Sequence, residues 1–252
     1  FLPQTGDLLR FEIPELDTCR TDHGVVPGQK VTPFYDPMLA KLIAWGPDRE
    51  TARRKLSRIV HEAQILGMTT NQGFLGAALN ADDFVKGEAT TALIGEWFTP
   101  EVRDSLGSLT AAQWLLSAAL LKLGETSSEK VKLPHGFRNS IAFPTQCQLS
   151  IGDRDEQLEL LLTELSHGVQ VKGSALGESI VMTVLRWDGQ ECFYELDGVT
   201  RKIGYLKLEE NIYLSAGQGS VYLEDTTLRP PQLADGAGSG KLKAPMDGAA
   251  VT

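Results

Sequence analysis

The stretch Thr110-Ala-Ala-Gln-Trp-Leu-Leu-Ser-Ala-Ala-Leu-Leu-Lys-Leu123, closed by Gly124, decides how the rest of the chain must be arranged. Thr110 with Gln113 three residues on is a capping-box start, and Gly124 is a helix stop. On a helical wheel Thr110, Gln113 and Ser117 share a sector of roughly 60°, and nearly every other position is apolar. A helix of ~14 residues spans only ~20 Å, too short for a bilayer. In water it is stable only with other structure around most of it, and Trp114, Leu115 and Leu116 head its buried surface. The segments before it mix helix and strand patterns; those after it read as strand. The stretch is therefore a core helix that a β-sheet wraps.

Eight strand candidates follow it: Ile141–Ile151, Gln157–Leu165, Gly168–Lys172, Ser179–Trp187, Glu191–Leu196, Val199–Lys207, Ile212–Ser215 and Ser220–Glu224. Asp188-Gly189 and Asp197-Gly198 are tight-turn dipeptides, so antiparallel hairpins are expected. Short strands at this spacing predict a barrel or sandwich, and a closed sheet also removes exposed edges. Pro230-Pro231 and Asp235-Gly-Ala-Gly-Ser-Gly240 read as a flexible linker.

Upstream, Leu8–Ile13 alternates as a strand and Pro14 ends it; Thr18–Val26 is a second candidate. Pro33 and Pro37 force extended or turn geometry around Tyr35-Asp36, and Met38–Trp45 fits a buried strand or a strand–helix turn. Asp48 caps a helix through Glu62, with Ala52, Leu56, Ile59, Val60 and Ala63 on one face. Thr70 or Asn71 can cap a second helix to about Leu79, Asp82-Asp83 start a shorter one, and Glu96–Glu101 closes this half with Pro100 as punctuation. The expected class is α+β: a small mixed α/β piece, then an antiparallel eight-stranded β-barrel (140–225) around a central helix (110–123).

The net charge of −9 leaves no basic stripe to neutralise phosphates, which argues against a nucleic-acid binder. The basic run Arg49–Arg58 reads as the solvated face of a helix. Cys19, Cys147 and Cys192 lie far apart, show no metal-ligand spacing and are odd in number, favouring a reducing compartment. No signal peptide or membrane span is recognisable, and the abrupt start and end read as those of a piece of a longer protein.

Gly236-Ala-Gly-Ser-Gly-Lys241 fails as a phosphate loop, because Asp235 holds the first glycine position and Leu242 follows the lysine. His23, His61, His135 and His167 have neither an i, i+4 partner nor a nearby cysteine pair, so no metal site is expected. Asp82-Asp83 reads as a helix-start pair. Asp36 is the one acid worth keeping, held by prolines and aromatics in a rigid, half-buried turn; structural and catalytic-site roles are equally open for it.

Tyr35-Asp-Pro-Met-Leu-Ala-Lys-Leu-Ile43, with Asp48-Arg49 and Gly67-Met-Thr-Thr-Asn71, closely resembles the C-terminal part of biotin carboxylase. Phe1-Leu-Pro3 and Gly6-Asp-Leu-Leu-Arg-Phe11 look like that domain's entry. The remainder is similar to α subunits of acyl-CoA carboxylases of the methylcrotonyl-CoA and propionyl-CoA type. His135-Gly-Phe-Arg-Asn139 resembles that family's Gly-Trp-Arg-Asn stretch, with Phe137 in place of Trp. Lys241-Leu-Lys-Ala-Pro-Met-Asp-Gly248 looks like the first strand of a biotinyl carrier domain.

The resemblance implies residues 1–99 as the carboxylase C-terminal portion, 108–228 as the domain joining carboxylase to carboxyltransferase, 229–240 as linker and 241–252 as a truncated carrier domain. It places Tyr35 and Asp36 on a turn bordering the carboxylase site, and Arg20 near the family's dimer contact. His135, Phe137, Arg138 and Asn139 would face the carboxyltransferase β subunit. Biotin, ATP and Mg²⁺ serve the implied parent, a ligase assembled from α and β subunits, cytoplasmic or in the matrix of a mitochondrion. Its ATP-grasp loop, metal carboxylates and bicarbonate arginine would precede Phe1, so no complete cofactor site and no activity are expected of these 252 residues alone. The partners implied are the β subunit and the chain's own carrier domain, without nucleic acid or membrane. The alternatives are a stand-alone interaction module and a small-ligand barrel with the helix as lid.

Overall fold

In the computed structural model the described residues are 4–123, 143–216 and 219–229. The N-terminal part carries β1 (Gly6–Asp7), β2 (Arg10–Glu12), β3 (Cys19–His23), β4 (Lys30–Val31) and β5 (Ala40–Ala44), then helix α1 (Arg49–Glu62) and strand β6 (Gln64–Leu66). Helices α2 (Gln72–Asn80), α3 (Asp82–Lys86), α4 (Leu93–Trp97) and α5 (Pro100–Leu106) follow. The strands form three two-stranded antiparallel ladders: β1 with β4, β2 with β6, and β3 with β5. Leu8, Val25 and Met68 form their small core, with Phe11, Val31, Leu39 and Ile65 against it.

Helix α1 begins at the expected acceptor: Asp48 Oδ1 accepts from the Thr51 amide at 2.7 Å and Oδ2 from its hydroxyl at 2.9 Å. Its basic run is more than a solvated face. Arg53, largely buried, donates to the Leu79 carbonyl and to Asn80 Oδ1, while Arg49 donates to the carbonyls of Phe84 and Val85. These arginines close the last turns of α2 and α3, where carbonyls lack helical partners. Hydrogen bonds from Arg53 and Arg54 hold the Glu50 carboxyl down at about 2.

Pro100 does not close this half as its punctuation suggests; it begins α5 instead. Thr99 caps that helix and Pro100 occupies its first turn, where a missing N–H has no consequence. Phe74 packs edge-on against Phe98 with centroids 5.0 Å apart, joining α2 to the α4–α5 junction.

The central helix α6 (Ala111–Leu123) starts with the expected box: Gln113 N donates to Thr110 Oγ1 at 3.3 Å, and Gln113 Oε1 accepts from Thr110 N at 2.9 Å. Strands β7 (Thr145–Ile151), β8 (Arg154–Leu165), β9 (Gly168–Ala175), β10 (Glu178–Trp187), β11 (Glu191–Leu196), β12 (Val199–Leu208), β13 (Asn211–Ser215) and β14 (Ser220–Asp225) run as an antiparallel meander. They close into a barrel through β14 and β7, which pair Glu224 with Ser150 and Asp225 with Leu149. Asp197 and Gly198, at φ 54° and 73°, make the two-residue turn between β11 and β12, where right-handed strand twist favours positive φ.

Trp114, Leu115 and Leu116 are each 0% exposed, and eleven of the thirteen α6 residues are buried. Inward-facing Leu149, Leu158, Leu160, Val169, Val171, Val184, Ile212, Leu214 and Leu223 complete one core with them. The lone hydroxyl of that helix, Ser117, donates back to the Gln113 carbonyl at 2.7 Å. At the other end Lys207 Nζ donates to the Leu121 carbonyl at 2.6 Å, and Lys122 pairs with Asp225. Residues Pro100–Leu123 are long and apolar enough to cross a membrane by length and composition. Here the barrel covers the apolar surface of α6.

Candidate functional site

The Pro33–Pro37 turn lies in the connection 24–39 between β3 and β5, whose register sets His23 opposite Ala40. Asp36 Oδ1 accepts from the Met38 amide at 2.8 Å, a local turn bond that fixes the carboxylate's direction. The turn is not half-buried, as its prolines and aromatics suggest it should be. Phe34 and Tyr35 are each 84% exposed, Met38 64% and Val26 61%, and Asp36 is exposed with them. Prolines restrict the backbone without deciding what covers it. An acid fixed among exposed aromatics can orient a cation or donor on a neighbouring surface.

Arg20, on β3, is 71% exposed along its side chain and makes a two-point pair with Asp22, Nε to Oδ1 at 3.0 Å and Nη2 to Oδ2 at 3.1 Å. It stands opposite Ile43 on β5, outside the connection that carries Asp36. His135, Phe137, Arg138 and Asn139 lie outside the described residues, as do the linker from residue 230 and Lys241–Gly248.

Trp114, Leu115 and Leu116 come together in the barrel core as the helical pattern requires. Because α6 fills this space, the barrel's chemistry is confined to its outer face and ends. Burial pushes the Cys192 thiol up to about 12 and Cys147 to about 11, so neither is a nucleophile near neutral pH.

A contact that sequence reasoning missed lies between the two parts. Arg10 Nη1 donates to the Gln190 carbonyl at 2.9 Å, Ser220 Oγ donates to the Met68 carbonyl at 3.2 Å, and Ser215 Oγ to the Ala63 carbonyl at 3.5 Å. Gln64 lies over Gly204 of β12. A groove of about 810 Å³ opens beside this contact, with Arg58 and His61 on one wall and Tyr194 and Arg201 on the other. The available signal was Gly204 itself, since a glycine inside a strand pattern marks a close approach. Among the described residues no group of three His, Cys, Asp or Glu side chains is placed to hold a metal ion. What these residues offer is a charged turn, a two-part junction and a filled barrel.

Known proteins share both parts of this arrangement in sequence. Residues 1–96 match the model of the biotin carboxylase C-terminal domain. The α subunit of mitochondrial methylcrotonoyl-CoA carboxylase from Mus musculus is 26% identical over 266 residues, covering 98% of this chain and 36% of that protein. Its counterpart from Dictyostelium discoideum is 37% identical over 137 residues, covering 52% of this chain and 19% of that protein. The aligned stretches thus span from just under a fifth to just over a third of these relatives' length. Among solved structures, the biotin carboxylase domain of 2-oxoglutarate carboxylase from Hydrogenobacter thermophilus, in complex with MgADP, ADP and bicarbonate, is 31% identical. It covers 40% of this chain and 22% of that one, with a TM-score of 0.39.

Proposed function

We propose, from the match of residues 1–96 to the biotin carboxylase C-terminal domain and the likeness of the chain to acyl-CoA carboxylase α subunits, a role in a biotin-dependent acyl-CoA carboxylase of methylcrotonyl-CoA type. In this reading residues 1–99 complete a carboxylase domain that carboxylates carrier-bound biotin with ATP, Mg²⁺ and bicarbonate. Residues 108–228 hold the carboxyltransferase β subunit, where the carboxyl group reaches the acyl-CoA. Residues 229–240 link to a carrier domain beginning at 241–252. Tyr35 and Asp36 border the carboxylase site, and Arg20 lies toward a carboxylase dimer contact. As the whole protein's reaction this is an ATP-dependent ligation forming a C–C bond.

One observation supports the docking role above others: the barrel interior is given over to α6, with Trp114 at 0% exposure. A lipocalin-type carrier needs an open lumen for its ligand, and this barrel fills that volume with a helix. What remains for function is the exterior, which suits a protein partner. A stand-alone interaction module describes the 252 residues by themselves and is compatible with the same docking surface.

The test uses residues named from the family likeness. An aromatic beside an arginine is the composition of an interface anchor. The double substitution Phe137→Ala and Arg138→Ala should weaken assembly with the β subunit by at least ~2 kcal/mol, about thirtyfold, with the melting temperature unchanged. Lost stability with assembly intact would move the docking surface elsewhere.

A further inference from the structure

Strand β12 buries three consecutive residues, Ile203, Gly204 and Tyr205. Side chains alternate across a strand, and Ile203 and Tyr205 belong to the barrel core, so Gly204 faces outward. An outward position on a barrel is buried only when something covers it. The cover is Gln64 of β6: a Cβ on Gly204 would stand 2.1 Å from its Oε1 and 2.6 Å from its Cδ. Arg10 flanks this seat on the β2–β6 ladder. At 8% exposure, its guanidinium reaches the Gln190 carbonyl in the β10–β11 turn and the Glu12 carboxylate. The hydroxyls of Ser215 and Ser220 bind the carbonyls on either side of β6. Three side-chain donors, Arg10 Nη1, Ser215 Oγ and Ser220 Oγ, meet backbone carbonyls of the opposite part, so sliding one part past the other would break all three bonds. Arg10 Nε and Gln64 Oε1 are buried without a partner among the described residues.

We propose that this junction locks the carboxylase piece and the barrel into one rigid body, with Gly204 as the seat and Arg10 as the latch. Resting on the docking role proposed above, the consequence is that a partner gripped by the barrel is held at a set distance and orientation from the carboxylase domain. Gly204, Gln64 and Arg10 are positioning residues in this scheme.

The experiment places spin labels at two exposed positions of the full chain, Glu88→Cys and Lys172→Cys, in a Cys19→Ser background, and reads the distance distribution between the two parts. The parent should give one narrow distance. Gly204→Leu should lose it, because the leucine must displace Gln64, and Gln64→Ala in the same chain should restore it by vacating that space. Arg10→Met with Ser215→Ala and Ser220→Ala removes the latch without adding bulk to the barrel and should also broaden the distribution, with barrel amides still protected from hydrogen exchange. A broad distribution in the parent, or a narrow one that survives both sets of substitutions, would overturn the proposal. Binding of a carboxyltransferase subunit is scored separately. Its failure would remove the docking role, while the measured distances would still decide whether the junction is rigid.

Discussion

Leu115 of the central helix occupies the place that a side chain at position 173 would need: a Cβ built on Gly173 comes within 2.7 Å of Leu115 Cδ1. It would also come within 2.0 Å of the Glu159 carbonyl on β8, so backbone as well as side chain would have to move. Helix and barrel therefore fit because β9 carries a glycine on its inner face. Gly173→Ala should destabilise the chain by about 1–3 kcal/mol through overpacking. The midpoint of denaturant unfolding, at unchanged slope, checks this, and Gly173→Ala at the parent's midpoint would mean that the helix is not seated this tightly.

Trp114 gives the complementary test. It is fully buried, and its indole Nε1 has no hydrogen-bond partner among the described residues. Trp114→Ala should cost ~3–5 kcal/mol by opening a cavity. Trp114→Phe should cost clearly less, because it keeps much of the volume and removes a buried donor worth about 1–3 kcal/mol when unsatisfied. Equal losses for the two substitutions would show that volume is not what this position supplies.

The barrel was legible in the sequence to an unusual degree of detail, and the reasons for the misses are local. Each of the eight strand candidates corresponds to one barrel strand. Within the described part of the candidate Ile141–Ile151 the ladder begins at Thr145, after Pro144, which lacks an N–H to donate. The candidate ending at Lys172 continues to Ala175, because Gly173 is an interior contact rather than a break. The exposed turn at Asp36 was beyond reach, and at Gly204 only a glycine inside a strand pattern hinted at the junction, for a shared reason. Periodicity records which face of an element is apolar, and covering by another part of the chain is a tertiary property.

The thiols should separate by reactivity. Cys147 and Cys192 are buried with raised pKa values, about 11 and about 12, whereas Cys19 is partly exposed. In the unfolded chain a thiol ionises near ~8.5. The protonated thiols therefore favour the folded state fully below that pH, and the contribution is lost as pH rises through the window up to about 11–12. A thiol reagent at neutral pH should modify Cys19 and leave Cys147 and Cys192 untouched until denaturant is added. Rapid modification of all three in the native chain would contradict the filled core.

On the function proposed above, Asp36 should matter to carboxylation by the full-length protein more than to folding. Asp36→Asn keeps an oxygen to accept from the Met38 amide but removes the charge. The expected outcome in the full-length subunit is loss of ATP-dependent biotin carboxylation with a melting temperature within a few degrees of the parent's. Full activity would assign Asp36 to the turn's structure alone.

The proposed function makes the barrel closed around Trp114 and Leu115 a docking module between two enzyme parts. The most direct measurement mixes the chain with a carboxyltransferase β subunit of a methylcrotonyl-CoA carboxylase and follows hydrogen exchange before and after complex formation. The docking role predicts a stable complex with new protection in residues 108–228. No complex, or protection confined to residues 1–99, would contradict it.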